Sequence, residues 1–297
     1  MHQVVISLGF GIVSASVIVL PAVGFTLQFG ISGVFNVSYG AMMTAAAYVA
    51  YFVDIHLHTD MVLGLVAGGL GGAILGVASE RLLFSPFLRR GAQVYTVVMV
   101  SFAVDIVVAA SLLAIGGSGF FSYRLPPQST FHILGTQLTP LQLEIIALGV
   151  AAMLGTHLLL KTTKLGKSMR AVSADRSLAG TCGINVARIT STTWTLSGLL
   201  AGLGGVALAM NTAAFSATTG DSFVFVAFAA AIVGGLGRPY GAMLGALLIG
   251  IITEEVSIVS PTLNYVAAFT VVVIILLTRP TGLAGMGRGA RKDSVVT

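Results

Sequence analysis

The chain has 297 residues, of which 56% are hydrophobic and only 8% are charged, and its mean hydropathy is +0.99. A soluble domain carries about a quarter charged residues because its surface must be solvated, so this composition excludes a soluble globular protein and predicts a surface that faces lipid. The net charge of +5 does not indicate nucleic-acid binding, because the basic residues lie between apolar runs, where they act as a topology signal.

Nine apolar segments have lengths compatible with membrane-spanning helices. A helix needs about 20 apolar residues to cross about 30 Å of hydrocarbon, and backbone groups in lipid must be satisfied within the segment or in a closed barrel of alternating strands. The segments do not alternate, so all are predicted to be α-helical. They are residues 4–27, 35–53, 61–79, 93–115, 141–160, 189–210, 222–236, 240–259 and 264–278. The first has no basic flank or cleavage site and is expected to be a retained helix. The sequence predicts an all-α polytopic transmembrane bundle of about nine spans.

The basic residues give this bundle an orientation. If the loops 80–92, 161–188 and 237–239 and the tail from Arg279 are cytoplasmic, fourteen of the fifteen Lys and Arg residues lie on that side and only Arg124 lies outside. Because cytoplasmic loops are enriched in Lys and Arg, the N-terminus is predicted outside and the C-terminus inside.

Glycines recur at intervals of four residues within several predicted spans. The sets are Gly64, Gly68, Gly72 and Gly76; Gly198 and Gly202; and Gly237, Gly241 and Gly245. Small residues on one helix face let backbones approach closely in lipid. The spacing therefore predicts helix-packing faces, which do not by themselves indicate a function.

Three acidic residues fall inside predicted spans. Asp105 lies midway along 93–115, where a carboxylate is costly unless it is paired, protonated or facing water. It is a candidate functional residue, and a buried hydrogen bond to a neighbouring helix would explain it equally well. Glu254 and Glu255 lie near the outer end of 240–259, where gating, docking and interfacial roles are all open.

Two short motifs suggest enzymatic chemistry but are better explained as structure. Leu165–Ser168 ends like a phosphate-binding loop, but that motif requires a glycine where the chain has Lys161, and a preceding strand. Nucleotide binding by this chain is therefore not expected. Gly30–Gly33 resembles the loop of an intramembrane serine protease, with Ser32 as nucleophile and His157 as base; a helix break is the favoured interpretation.

The longest polar segment, 161–188, is predicted to be cytoplasmic. Its small apolar stripe, typical of a short amphipathic helix, consists of Ala171, Ala174, Leu178, Ala179 and Cys182. Gly183 is typical of a helix C-terminus, with Ile184 following. Alanines bury little area in lipid, which favours docking in a groove of a partner protein over adsorption to the membrane. Cys182 is the only cysteine, which excludes an intrachain disulfide and a cysteine-rich metal site.

Three stretches carry a family resemblance. They are GFTLQFGISGVFNVSYGAMMTAAAYVA, which contains Gly33, Asn36 and Gly40; GKSMRAVSADRSLAGTCGINVARI; and AIVGGLGRPYGAMLGALLIG followed by LTRPTGLAG. They resemble the permease subunits of the branched-chain amino acid ABC importers, in the shorter LivH-like branch. With the similarly spaced spans the resemblance covers nearly the whole chain, and the second stretch, similar to the family's coupling segment, is the most specific.

The resemblance implies one permease domain over 1–297, in a bacterial-type inner (plasma) membrane, with a cytoplasmic coupling segment at about 161–188. It implies four kinds of partner: a second homologous permease, two cytoplasmic ATPases that hold ATP and Mg, an extracytoplasmic solute-binding protein, and membrane lipid. The chain itself would bind no cofactor, metal or nucleic acid and would have no catalytic residue.

Two sets of residues follow from the resemblance and from the motifs. The expected substrate pathway comprises Gly33, Asn36, Tyr39, Gly40 and Asp105. The expected ATPase-coupling residues are Arg170, Ala174, Asp175, Arg176, Ala179, Gly183 and Ile184. Asn36 would line the path or hold a helix break, whose freed backbone groups are natural ligands for polar solutes.

The chain departs from the family pattern at three places, which bear on the identity of the solute and not on transport itself. The family often has histidine or a similar polar residue before the early glycine, where this chain has Tyr39, and often has glutamine in the fourth span, where this chain has Asp105. Arg238–Tyr240 also replaces a usual short Ser/Asn-containing turn. Branched-chain amino acids are the leading expectation, followed by other neutral amino acids, amides or urea. The rival hypotheses are an ion-coupled secondary transporter or channel that works through Asp105 and an intramembrane protease that works through Ser32.

Overall fold

The computed structural model describes residues 2–57, 61–123, 131–133, 136–258, 260 and 263–284. In chain order its helices are α1 (His2–Ser32), α2 (Tyr39–Leu57), α3 (Met61–Ala78), α4 (Ser85–Arg89), α5 (Val94–Gly116), α6 (Pro140–Thr162), α7 (Lys164–Ala174), α8 (Arg176–Thr181), α9 (Val186–Thr212), α10 (Thr219–Gly234), α11 (Pro239–Ser257) and α12 (Asn264–Thr278). A π-helical segment, Ser79–Phe84, joins α3 to α4. Between α5 and α6 lies a small antiparallel hairpin of β1 (Phe131–Ile133) and β2 (Thr136–Leu138).

Each of the nine predicted apolar segments overlaps one helix: α1, α2, α3, α5, α6, α9, α10, α11 or α12. Among the described residues, six helices are long and apolar enough to cross a membrane, and α10 and α12 are shorter apolar helices. The chain is therefore a predominantly helical, multi-pass membrane protein. The β1–β2 hairpin is a feature that the sequence did not predict, and Arg124, the one basic residue predicted outside, lies beyond the described residues.

Some predicted boundaries are wrong. Helix α1 continues to Ser32 and α2 begins only at Tyr39, whereas the spans were predicted at 4–27 and 35–53. The predicted loop 80–92 is largely helical, because the π-helical segment and α4 extend α3. Pro86 lies in the first turn of α4, where a proline, which has no N–H to donate, is tolerated.

Helices α3 and α9 pack backbone against backbone. The predicted glycines Gly64, Gly68, Gly72 and Gly76 are all buried. A Cβ on Gly72 would lie 2.3 Å from the carbonyl oxygen of Gly198, and a Cβ on Gly198 would lie 2.2 Å from that of Gly72. Only residues without side chains permit this approach, which supplies the van der Waals contact that drives helix association in lipid. The predicted packing face is confirmed.

A second glycine contact joins α10 to α11. A Cβ on Gly241 would lie 2.0 Å from the carbonyl oxygen of Gly234, and one on Gly245 would lie 2.1 Å from that of Ala230. Gly237, the first member of the predicted stripe, instead lies in the turn between the helices with a φ of 78°. It faces Gly30, whose Cβ would lie 3.0 Å from the Gly237 Cα. The turn therefore packs against the end of α1.

Glu254 and Glu255 connect α11 to α1. The Ser7 hydroxyl donates to Glu255 Oε1 at 2.6 Å, and the Ser14 hydroxyl donates to Glu254 Oε1. Interhelical hydrogen bonds of this kind satisfy polar groups that would be costly to leave unpaired within a membrane. These contacts give both carboxylates, whose roles the sequence left open, a part in holding two helices together.

Helix α5 lies at the periphery of the bundle. Its buried residues are Val97 and Ser101, whereas Met99, Phe102 and Ile106 are exposed. A helix with so much exposed apolar surface must face either lipid or another membrane subunit. Its one substantial neighbour among the described elements is α2.

Candidate functional site

The chain breaks between α1 and α2 at residues 33–38. Gly33 has a φ of 66°, which favours glycine, and its N–H donates to the Phe29 carbonyl oxygen at 2.8 Å, which ends α1. Asn36 is fully buried, and its Oδ1 accepts a hydrogen bond from the Ser38 hydroxyl at 2.6 Å. Of the two roles expected for Asn36, these contacts correspond to holding the break rather than lining an open path.

The break is attached to the middle of α5. The Val37 N–H donates to the Ser101 hydroxyl at 3.1 Å, and that hydroxyl donates to the Val98 carbonyl oxygen at 2.7 Å. Ser101 is fully buried and lies one helical turn before Asp105. Irregular backbone at membrane depth is tolerated where neighbouring groups satisfy it, and Ser101 does so here. The first turn of α2 consequently begins beside Asp105.

Tyr39 anchors the start of α2 to α9. Its side chain is fully buried, and its hydroxyl donates to the Ser197 carbonyl oxygen at 2.9 Å. The Ser197 hydroxyl in turn donates to Gln28 Oε1 at 3.1 Å. The ring also packs edge-on against Phe25. The structure thus places Tyr39, an expected pathway residue, inside the chain as a link between three helices.

Gly40 allows α10 to begin against α2. A Cβ on Gly40 would lie 2.8 Å from the Asp221 Cα, and one on Gly220 would lie 2.2 Å from the Gly40 carbonyl oxygen. The Gly220 N–H donates to the Thr44 hydroxyl at 3.0 Å. The first turns of two helices, α2 and α10, therefore meet at Gly40, which explains the glycine at this position.

Two carboxylates converge at this meeting point. Asp105, on α5, is half-buried and hydrogen-bonded to the backbone of Ala41, the third residue of α2. Asp221, in the first turn of α10, is close enough to Asp105 for their charges to repel. The Oδ1 atom of each is enclosed and has no hydrogen-bond partner among the described residues. The positive end of the α2 dipole favours negative charge here, and two close carboxylates favour a cationic group between them.

Sequence reasoning missed Asp221. It precedes the predicted span 222–236 and therefore looked like part of a connecting loop, but the helix begins three residues earlier, at Thr219. The run Thr218–Asp221, polar apart from its glycine, at the start of an apolar helix is a signal that could have identified it. Only the fold, however, shows that this start lies next to Asp105.

The predicted single amphipathic helix within 161–188 is two helices. Asp175 separates α7 from α8 with an extended backbone (φ −156°, ψ 113°), and its Oδ1 accepts a hydrogen bond from the Leu178 N–H at 2.9 Å. Asp is a strong N-cap residue, because its side chain satisfies a free N–H of the helix that it starts. That local hydrogen bond ends α7 and begins α8, so the one-helix prediction is wrong.

The predicted stop at Gly183 is confirmed in detail. Gly183 has a φ of 83°; its N–H donates to the Gly180 carbonyl oxygen, and the Ile184 N–H donates to that of Ala179, both at 3.0 Å. This pair of bonds is the Schellman arrangement, which glycine at the left-handed position permits. Ile184 and Ala179 pack in the same apolar cluster, so the turn leads directly into α9.

The expected coupling residues divide into inward and outward groups. Ala179 is 4% exposed and packs within its own chain, whereas Leu178 is 62% exposed. Arg170 donates to the Leu160 carbonyl oxygen at the end of α6, and Arg176 donates to the Thr190 hydroxyl of α9 at 3.3 Å. The exposed members of the segment include Ala174, Asp175, Arg176, Leu178 and Cys182. Any docking face must consist of exposed residues of the segment, which include Arg170 but not Ala179.

The contacts of the enzyme-like motifs are structural. Leu165–Ser168 lies inside α7, so it forms no loop that could surround a phosphate. The Ser32 hydroxyl donates to the Gln28 carbonyl oxygen at 2.6 Å, as a helix-end serine does. His157 packs edge-on against Tyr240 of α11.

Comparison with known proteins settles the family. The family model for the permease component of branched-chain amino acid transport systems matches residues 7–278 of the chain. The chain belongs to this permease family. The high-affinity branched-chain amino acid transport system permease protein LivH of Escherichia coli (strain K12) is 27% identical over 93% of both chains. The probable branched-chain amino acid transport permease protein LivH of Methanocaldococcus jannaschii is 31% identical over 93% of this chain and 90% of its own.

A sugar permease is also related. The ribose import permease protein RbsC of Haemophilus influenzae is 27% identical to this chain, over 84% of this chain and 77% of its own length. No solved structure matches the permease. Family members are transport components, so the permease is a multi-pass inner-membrane transport subunit rather than an enzyme.

Proposed function

We propose that the permease is one half of an ATP-driven importer for branched-chain or other neutral amino acids. The α7–α8 unit is the observation that supports this most directly. It is a compact, polar pair of helices held to α6 by Arg170 and to α9 by Arg176, with Leu178 exposed. Such a unit fits the groove of a separate ATPase that binds ATP and Mg. The other proposed partners are a second homologous permease and an extracytoplasmic solute-binding protein.

The proposed coupling route runs from α8 into α9. The Schellman turn at Gly183 leaves only Cys182–Asn185 between the two helices, and the Asn185 Oδ1 caps α9 by accepting from the Arg188 N–H at 3.0 Å. A short connection held by hydrogen bonds transmits displacement better than a flexible loop does. Closure of the ATPases would therefore move α9, which packs against α1, α2 and α3.

The proposed solute path passes the junction of α2, α5 and α10. Helices that begin within the membrane direct free N–H groups at polar solutes, and Asp105 and Asp221 supply two carboxylates at this junction. An α-amino acid carries one ammonium and one carboxylate group, which match these two features. The second permease would cover the exposed side of α5 and enclose the path.

We further propose nine membrane crossings, with the N-terminus outside and the C-terminus in the cytoplasm. The nine helices that overlap the predicted apolar segments and the distribution of basic residues support this arrangement. In it, α7 and α8 are cytoplasmic and the α5–α6 connection is extracytoplasmic.

Cysteine labelling in intact cells tests the orientation. Cys182, the only cysteine, is exposed on the proposed cytoplasmic side. In cells that express the permease without its ATPases, a membrane-impermeant maleimide should therefore leave the unaltered permease unlabelled while a permeant one labels it. The matched variant combines Cys182→Ser with Ser118→Cys in the exposed α5–α6 connection, and should react with both reagents. Labelling of Cys182 by the impermeant reagent would reverse the orientation.

A charge at Leu178 tests the coupling surface. Leu178→Asp places an acid on an exposed apolar position of α8, so we expect the permease to fold normally but to lose ATPase binding by about tenfold or more, because an unpaired charge would be buried at the interface. Thr162→Asp, exposed at the end of α6, is the control. Co-purification of the ATPase and solute-stimulated ATP hydrolysis in proteoliposomes are the measurements. If Leu178→Asp matches the control in both, α8 does not bind the ATPase.

The ion-coupled alternative rests on the same two carboxylates. Asp105 and Asp221 lie together in the bundle with enclosed oxygens, an arrangement that could also carry protons or cations. In that case uptake would continue without any ATPase and would stop when the ion gradient is collapsed, whereas the importer requires ATP on the ATPase side.

A further inference from the structure

A cavity of about 750 Å³ lies apart from the proposed solute path, where α4 ends and α9 begins. The π-helical segment and α4 form one wall, and the start of α9 forms the other. Its polar lining includes Glu80, Arg81, Arg90, Asn185, Arg188 and Ser191. Asp105 and Asp221 do not line it, and the coupling segment contributes only Asn185, Ala187 and Arg188 from its end.

Arginines from both walls give the cavity its chemistry. Arg81 Nε donates to the Ser191 hydroxyl at 3.2 Å, which ties the π-helical segment to α9. Arg81, Arg90 and Arg188 are exposed, whereas Glu80, the one acid in the lining, is largely buried. Planar guanidinium groups bind phosphate through paired hydrogen bonds. The cavity is therefore suited to a phosphate-bearing anion.

Exposed apolar side chains flank the lining residues along the chain. Leu82, adjacent to Arg81, is 74% exposed, and Ile74, on the preceding α3, is 66% exposed. Tyr95 at the start of α5 is 65% exposed, and tyrosine is enriched at the membrane–water interface. An apolar face that ends in an arginine-lined cavity matches an amphiphile better than it matches a soluble anion.

We propose that this cavity binds the phosphate of an anionic phospholipid, whose acyl chains lie along the outer face of α3. Basic pockets between membrane helices hold such headgroups. The exposed leucine and isoleucine favour lipid over a soluble ATPase as the occupant. The α7–α8 unit, which is proposed to meet the ATPase, contacts α9 through Thr190, whereas Arg188 and Ser191 line the cavity. Lipid in the cavity would brace α9 against the π-helical segment.

Native mass spectrometry of the full-length permease tests the lipid site. Purified protein is titrated with phosphatidylglycerol, with phosphatidylcholine as the neutral lipid. Arg90→Ala with Arg188→Ala should weaken phosphatidylglycerol binding by about fivefold for each arginine removed and should leave phosphatidylcholine binding unchanged. Arg279→Ala, an exposed arginine after α12, is the control and should bind like the unaltered protein. Arg81→Ala is a second variant that supports the assignment if it also weakens binding.

Three results would overturn the proposal. Equal phosphatidylglycerol binding by the double variant and the control would show that the cavity holds no lipid. Displacement of the lipid from the unaltered protein by millimolar inorganic phosphate would make the site one for free phosphate. Loss of ATPase co-purification in the double variant, with lipid binding intact, would assign the cavity to the ATPase contact. A thermal melt of each variant establishes that the changes reflect the site and not misfolding.

Discussion

Replacing Gly198 with leucine is expected to prevent the permease from accumulating as folded protein. A Cβ at this position would lie 2.2 Å from the carbonyl oxygen of Gly72, so the obstacle is backbone and not a flexible side chain. Overpacking a core where neighbours can adjust costs about 1–3 kcal/mol, and here α3 and α9 would have to separate. Their separation would also loosen α9 from α1 and α2. The yield and monodispersity of the detergent-extracted protein on size-exclusion chromatography measure the effect.

Gly155→Leu is the matched control for this substitution. Gly155 lies on α6 and a Cβ there would meet no atom within 4 Å. Leucine is also the better helix former by up to about 1 kcal/mol, so this variant should accumulate normally. If Gly198→Leu and Gly155→Leu give the same yield and the same elution profile, the close packing of α3 on α9 is not required for folding.

Hydropathy predicts where the helices lie because a bilayer offers the backbone no water. Every N–H and C=O in a spanning segment must be bonded locally, so an apolar run of sufficient length becomes a helix whatever its neighbours are. The α3 glycines were predictable for a related reason: their spacing of four residues places them on one face, and close packing needs small residues. The helix that packs against that face was not predictable, because the glycine pattern carries no partner information.

The breaks were harder to predict because tertiary contacts hold them. Residues 33–38 remain non-helical within an apolar region since the Val37 N–H is satisfied by Ser101 of α5. The break at Asp175 depends on a capping bond to the Leu178 N–H, which competes with a continuous helix that the apolar stripe equally allows. In both places the hydrogen bond of a short polar side chain determines that the helix breaks, and the spacing of apolar residues gives no sign of that bond.

The roles of the candidate-site residues were also only partly predictable from the sequence. Gly33 and Gly40 were expected on the substrate pathway, and the structure explains these glycines by a positive φ at Gly33 and by the close approach of α10 at Gly40. Tyr39 and Asn36 were also expected on the solute path and are fully buried. Sequence alone does not say which side of a helix start faces a path, because that depends on how the neighbouring helices cross.

Neutralising Asp105 and Asp221 together is expected to reduce solute uptake by about tenfold to a hundredfold, the range for losing a hydrogen bond to a charged group. In Asp105→Asn/Asp221→Asn, the amides keep the carboxylate shape, and the asparagine at 105 can still accept from the Ala41 backbone. Folding should therefore be preserved. The ammonium group of an amino acid, however, would lose both anionic partners. Each single variant should have a smaller effect, because one carboxylate remains.

The measurement is the initial rate of leucine uptake by proteoliposomes that contain the permease, its ATPases and its binding protein. Glu144→Gln is the control, because Glu144 is an exposed carboxylate at the start of α6 and its neutralisation should leave uptake unchanged. Wild-type uptake by the double variant would remove both carboxylates from the path. A second outcome would identify an ion site. In that case the double variant would not transport, and the unaltered permease would need an ion gradient for uptake but no ATP. Loss of uptake in a system that depends only on ATP assigns them to the solute, because no ion gradient is then present for them to couple.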